Sequence, residues 1–119
     1  MNRFRLRFLL CVCGCLAGVA HGEIVVPDGF AFDTDVAYGT VSMRQRLDIL
    51  YPTAATAPRP TLIHIHGGGW YTGGKGGENT FAMMKSFVDA GYVAVSIEYR
   101  LSDEAKFPAA VEDCKLAVR

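Results

Sequence analysis

The residues best suited to chemistry are His66-Gly67-Gly68-Gly69-Trp70, directly after the apolar run Thr61-Leu62-Ile63-His64-Ile65. Three consecutive glycines at the end of a buried strand let the backbone take positive φ and approach a bound molecule closely, which residues with a Cβ do poorly. Their N–H groups are then free to converge on a developing negative charge. Preorganised donors of this kind, the parts of an oxyanion hole, each contribute about 2.7–4 kcal/mol to a transition state. A phosphate-cradling loop is disfavoured. No Gly-Lys-Ser/Thr occurs, and Gly73-Gly74-Lys75 lacks the required spacing.

Other chemistry-bearing residues are weighed against plainer roles. Among Ser42, Ser86, Ser96 and Ser102, none lies between glycines at a strand-to-helix turn, and Gly-x-Ser-x-Gly is absent from the sequence. Ser96 falls in an apolar strand and Ser86 in a helix. Cys114 lies on an apolar helical stripe beside Asp113 and reads as a buried, inert thiol. His64 reads as a satisfied core or interface histidine, since His-x-His alone is weak evidence for zinc. His66 reads as a hydrogen-bonder that fixes the loop. Trp70 either lines a substrate pocket or packs the loop. Arg100 is expected to pair with Glu104 or Asp103 and hold the loop after the next strand, the alternative being solvated surface charges.

These positions need strands and helices to hold them. Pro27-Asp28-Gly29 is a turn signal leading to a first strand near Val36-Ala37-Tyr38. From Arg46 to Tyr51, Leu47, Ile49 and Tyr51 alternate with Arg46 and Asp48, the pattern of a half-exposed edge strand that Pro52 ends. The small, proline-marked segment 53–60 reads as a surface loop. Leu62 to Ile65 is a continuous apolar strand with the glycine loop at its C-terminal end, where open α/β sheets bind ligands. A helix is predicted from Asn79, a good N-cap residue, with Phe81, Met84, Phe87 and Val88 on one face until Gly91. Tyr92 to Ile97 is apolar on both faces, as in a parallel sheet. A second helix carries Pro108 in its first turn, Glu112 and Asp113 near its positive end, and Ala110, Val111, Cys114, Ala117 and Val118 as its buried stripe. This order predicts an α/β chain whose sheet is incomplete.

Residues 1–22 read as a secretory signal peptide: Arg3, Arg5 and Arg7, an apolar run from Phe8 to about Ala20, then Ala20-His21-Gly22 as a cleavage site. The run falls short of the roughly 20 apolar residues that span a bilayer comfortably. A retained N-terminal anchor is one alternative. Val12-Cys13-Gly14-Cys15, similar to a bacterial lipobox with Cys15 as the lipidated residue, is another. Without residues 1–22, the twelve basic residues lose three, leaving nine against twelve acidic, a net −3. That balance argues against nucleic acid or an anionic membrane as partner. Cys114 would then be the remaining cysteine, so no internal disulfide is expected.

Taken together, the glycine loop, Leu47-Asp48-Ile49-Leu50-Tyr51-Pro52, Tyr99-Arg100-Leu101-Ser102 and Glu104 to Cys114 resemble the hormone-sensitive-lipase-like branch of the α/β-hydrolases, close to its feruloyl and acetyl-xylan esterase-like group. The resemblance covers residues 23–119 as the N-terminal part of the domain, with a mostly parallel sheet flanked by helices. It implies Gly67, Gly68 and Gly69 as the oxyanion hole, with Gly68 and Gly69 foremost, and His66, Trp70 and Arg100 as loop support or pocket. It also implies a small-molecule or polysaccharide ester substrate and no metal or organic cofactor. The serine, acid and histidine of such an enzyme are expected beyond Arg119. An amidase or peptidase on the same fold, and a binding module that keeps the loop without catalysis, are the competing readings.

Overall fold

The computed structural model describes residues 23–119, so the signal-peptide reading of residues 1–22 and the lipobox at Cys15 lie outside the described residues. The elements are β1 (Phe30–Ala37), β2 (Arg46–Pro52), β3 (Thr61–Ile65), α1 (Glu78–Asp89), β4 (Val93–Ile97) and α2 (Ala109–Ala117). The strands form one sheet in the order β1-β2-β4-β3. β1 pairs antiparallel with β2 and β2 antiparallel with β4, whereas β3 and β4 run parallel. Parallel neighbours need a crossover, and α1 supplies it. The α/β class holds. Among the described residues, however, only one pairing is parallel, so this part of the sheet is mixed.

Alternation sorts the strand residues onto two faces. Leu50 and Ala94 point to the α1 side, where they are fully buried against Met84 and Val88, with Phe30, Phe32 and Phe81 packed around them. Leu47, Val95 and Ile97 point the other way and meet Cys114 and Ala117 of α2. The two helices therefore cover opposite faces of the sheet. Burying each large apolar side chain in these clusters contributes about 1.5–3 kcal/mol.

Several expectations change. β2 is an interior strand, because its second edge pairs with β4; β1, which begins at Phe30, takes the edge. Asp48 is consequently buried, at 4 % exposure, where the alternation had placed it toward solvent. α1 starts at Glu78 after Gly77, without a side-chain cap, so Asn79 lies in the first turn and is not the N-cap. Met84 and Val88 are buried as expected, but Phe87 is partly exposed and stacks edge-on against Tyr92. In α2, Pro108 occupies the N-cap position, and Ala109 and Asp113 are the buried residues. Val111 and Val118 are exposed. The stripe is displaced because Asp113 is drawn inward by Arg100. No helix among the described residues is long and apolar enough to cross a membrane.

Candidate active site

The loop after β3 is shaped by its backbone. Gly68 (φ +123°), Gly69 (φ +61°) and Trp70 (φ +64°) turn the chain in succession through the left-handed region. A tryptophan there is strained by about 1–2 kcal/mol. Its carbonyl accepts a 2.8 Å hydrogen bond from the Ser102 N–H, which ties the strained residue to the loop after β4. The Gly68 carbonyl accepts from the N–H groups of Tyr71 and Thr72, both at 3.1 Å. A Cβ on Gly68 would collide with the Thr72 carbonyl, so the turn requires glycine at this position. Gly73 is equally constrained: its Cβ would press on the Gly67 carbonyl and His66 Nδ1.

The N–H groups of Gly67, Gly68 and Gly69 donate to no acceptor among the described residues. Gly67 and Gly69 line an open apolar cleft of about 420 Å³, with Ile65, Trp70, Tyr99 and Val111 among its other walls. Gly68 is not among the lining residues; it sits at the turn, its Cβ direction facing Thr72. Trp70, 62 % exposed, stands between this cleft and a second of about 300 Å³ bounded by Tyr71, Arg100 and Phe107. Free donors beside apolar walls can hold an oxyanion while neighbouring apolar groups of the same substrate are covered.

His66 is buried where the strand gives way to the loop. Its Nδ1 lies 2.8 Å from the Gly67 carbonyl, which sets Nδ1 as the protonated nitrogen. Tyr99 stacks on the imidazole at 4.2 Å with a 9° interplanar angle and donates its hydroxyl to the His66 carbonyl at 2.7 Å. Nε2 faces Glu98 Oε1 at 3.4 Å without forming a hydrogen bond. His64 is half-buried, with Nδ1 2.9 Å from Ser96 Oγ. Burial, and then the neighbouring His66, hold its pKa below the usual histidine value.

Arg100 does not pair with Asp103 or Glu104. Its Nη2 and Nε donate to the two carboxylate oxygens of Asp113 at 2.8 and 2.9 Å, and its backbone N–H adds a third bond at 2.9 Å. Glu104 lies near Arg44 instead, at 3.5 Å. Gln45 Nε2 completes the Asp113 shell at 2.8 Å. Burial opposes the Asp113 charge, but the bonds from Arg100 and Gln45 outweigh it, and the carboxyl titrates below the usual aspartate range.

A polar layer on the α1 side of the sheet supports the loop from behind. Asp48, Ser96 and His64 stand in register across β2, β4 and β3. Lys75 reaches down to this layer, with Nζ 2.6 Å from Asp48 Oδ1 and 2.9 Å from Asp35 Oδ1. Burial works against the ammonium, yet the two carboxylates more than offset it and raise the Lys75 pKa. Asp48 and Lys75 signal themselves weakly in the sequence, as a charge within an apolar strand and a cation within a glycine run. Glu98 and Tyr99 give no local sign of the groups they hold.

The four serines stay in plain roles. Ser96 is fully buried and donates to the Lys75 carbonyl at 2.8 Å; Ser86 donates to the Ala82 carbonyl within α1. Ser42 accepts from the Arg44 N–H, and Ser102 lines the second cleft. Cys114 is half-buried rather than buried and borders the first cleft; its thiol pKa is pushed up first by burial and then by Asp113.

Comparison with known proteins places the chain in a family. Residues 47–119 match the family model BD-FAE. The chain is 33 % identical over 91 residues to a probable carboxylic ester hydrolase, LipM, of Mycobacterium tuberculosis, covering 75 % of this chain and 21 % of that protein. Esterase B from Lactobacillus rhamnosis aligns with TM-score 0.64 and 26 % identity over 82 % of this chain and 31 % of that one. A truncated carbohydrate esterase from gut microbiota aligns with TM-score 0.67 and 27 % identity, covering 78 % and 33 %. The chain spans about a fifth of the length of the curated relatives it matches. With the matched segment running from β2 through the glycine loop to the end of α2, the chain belongs to the BD-FAE family, in the hormone-sensitive-lipase-like esterase branch of the α/β-hydrolases, a family of carboxylesterase-type enzymes.

Proposed function

We propose that this chain supplies the oxyanion-holding part of an exported serine hydrolase acting on carboxylic esters. The observation that carries the reading is the set of unused donors: among the described residues the N–H groups of Gly67, Gly68 and Gly69 have no acceptor, and Gly67 and Gly69 line an apolar cleft. In this reading a serine supplied by residues beyond Arg119 attacks the ester carbonyl, activated by a histidine that an acidic residue orients. The carbonyl oxygen gains negative charge, and the loop donors, with the N–H following the serine, receive it. The apolar clefts on either side of Trp70 suit the two sides of an ester, a small-molecule or polysaccharide ester being the substrate class. Export rests on the signal-like residues 1–22, and no metal or organic cofactor is required.

Reading the coding sequence past the codon for Arg119 tests this proposal. A frame that continues to Gly-x-Ser-x-Gly, then an acidic residue and a histidine, supports it. A stop codon directly after Arg119 removes the nucleophile and overturns it.

A further inference from the structure

We infer that Glu98 and Lys75 form a clasp that closes the glycine loop and fixes its free amides, making both positioning residues. Their place in catalysis rests on the oxyanion reading above; the clasp itself does not.

Glu98 follows β4 and is fixed by its own backbone. Its N–H donates to the Arg46 carbonyl at 2.8 Å, and its carbonyl accepts the Tyr38 hydroxyl at 2.6 Å. The side chain is thereby aimed at the loop, and its two oxygens take different ends of it. Oε1 faces His66 Nε2 at the front, at 3.4 Å, and Oε2 accepts the Lys75 N–H at the back, at 3.1 Å. One carboxylate thus bonds residue 75 and lies against residue 66 without a hydrogen bond. Arg44 Nη1, 3.3 Å from Oε1, balances its charge from outside.

Lys75 is held at every polar point it has. Its N–H goes to Glu98, its carbonyl accepts Ser96 Oγ–H at 2.8 Å, and its ammonium meets Asp48 and Asp35. Ser96 in turn has His64 Nδ1 on its oxygen. The back of the loop is therefore bolted to β1, β2 and β4 together. Loops rich in glycine lose the most backbone freedom on ordering. The Lys75 bonds at the back, with the Tyr99 hydroxyl on the His66 carbonyl at the front, restrict the residues between them, as catalysis by fixed donors requires.

Hydrogen exchange of backbone amides on the 119-residue chain tests the clasp without reference to turnover. In Glu98→Ala the Lys75 amide is expected to exchange about tenfold faster or more, the loss of one partly buried hydrogen bond, while Ala94 and Val95 keep their protection. Glu98→Gln, which retains an acceptor, should restore much of the Lys75 protection but shift the His66 imidazole ¹⁵N signals. Arg44→Ala, which removes a contact to the same carboxylate but none to the loop, should leave the Lys75 amide as it was. Unchanged exchange at Lys75 in Glu98→Ala overturns the clasp, and so does equal acceleration at Lys75, Ala94 and Val95, which marks a residue of general stability. Should Glu98→Ala fail to fold, the Glu98→Gln spectra decide: unshifted His66 signals overturn the proposal. A failure of ester hydrolysis would strike the functional reading and leave these outcomes untouched.

Discussion

Tyr99 holds His66 twice, through a ring stack at 4.2 Å and through a hydroxyl that donates to the His66 carbonyl at 2.7 Å. Because His66 is the last residue before the glycines, the strand after the loop determines how the loop leaves the strand before it. Tyr99→Phe keeps the stack and leaves a buried carbonyl without its donor. We expect a loss of about 1–3 kcal/mol in urea unfolding, and a larger loss in Tyr99→Ala, where the stack goes as well.

The buried Asp113 carboxylate gives a pH dependence with a definite sign. Its pKa is depressed in the folded chain, so the stability it contributes is present above the unfolded value, near 3.8, and is lost as pH falls through the lower folded value. Unfolding midpoints of the wild-type chain and Asp113→Asn measured from pH 7 to pH 2 should differ most above pH 4 and converge in acid. Asp113→Ala should cost roughly 3 kcal/mol at neutral pH, the lower end of the range for breaking a buried pair, because the Arg100 guanidinium still reaches solvent.

Neighbouring glycines of the loop should respond differently to the same change. Gly67→Ala meets open space at an ordinary backbone angle and should alter stability by no more than about 0.5 kcal/mol. Gly69→Ala also finds space but must hold φ +61°, at a cost of about 1–2 kcal/mol. Gly68→Ala adds a collision with the Thr72 carbonyl to its positive φ, so it should be the most damaging of the three and should displace the Tyr71 and Thr72 amide resonances.

The 119-residue chain should hydrolyse p-nitrophenyl butyrate no faster than a buffer blank, because none of its serines stands at a strand-to-helix turn between glycines. A rate above the blank that Gly68→Ala abolishes would contradict this expectation.

What could be read from the sequence was local. β3, β4 and α1 follow from short-range periodicity, and the loop follows from three adjacent glycines whose conformational requirement is written in their type. The errors are non-local. β2 reads as an edge because its own residues alternate; only its pairing with β4, almost fifty residues away, buries Asp48. Asp113 reads as an acidic residue near the positive end of a helix and off its buried stripe, and the aligned donors of Arg100 bury it. Glu98 could not be found as the loop's support, since His66 and Lys75 reach it only when β3 and β4 lie side by side.

The central claim, that the glycine-loop amides receive the charge of the reacting ester, is tested most directly by kinetics of the protein translated from the whole reading frame. With p-nitrophenyl butyrate, folded Gly68→Ala should lose about a hundredfold to a thousandfold in kcat, the effect of one misplaced oxyanion donor, with KM changed little. A Gly68→Ala enzyme whose kcat stays within about threefold of wild type, with its fold verified by circular dichroism, would contradict the account.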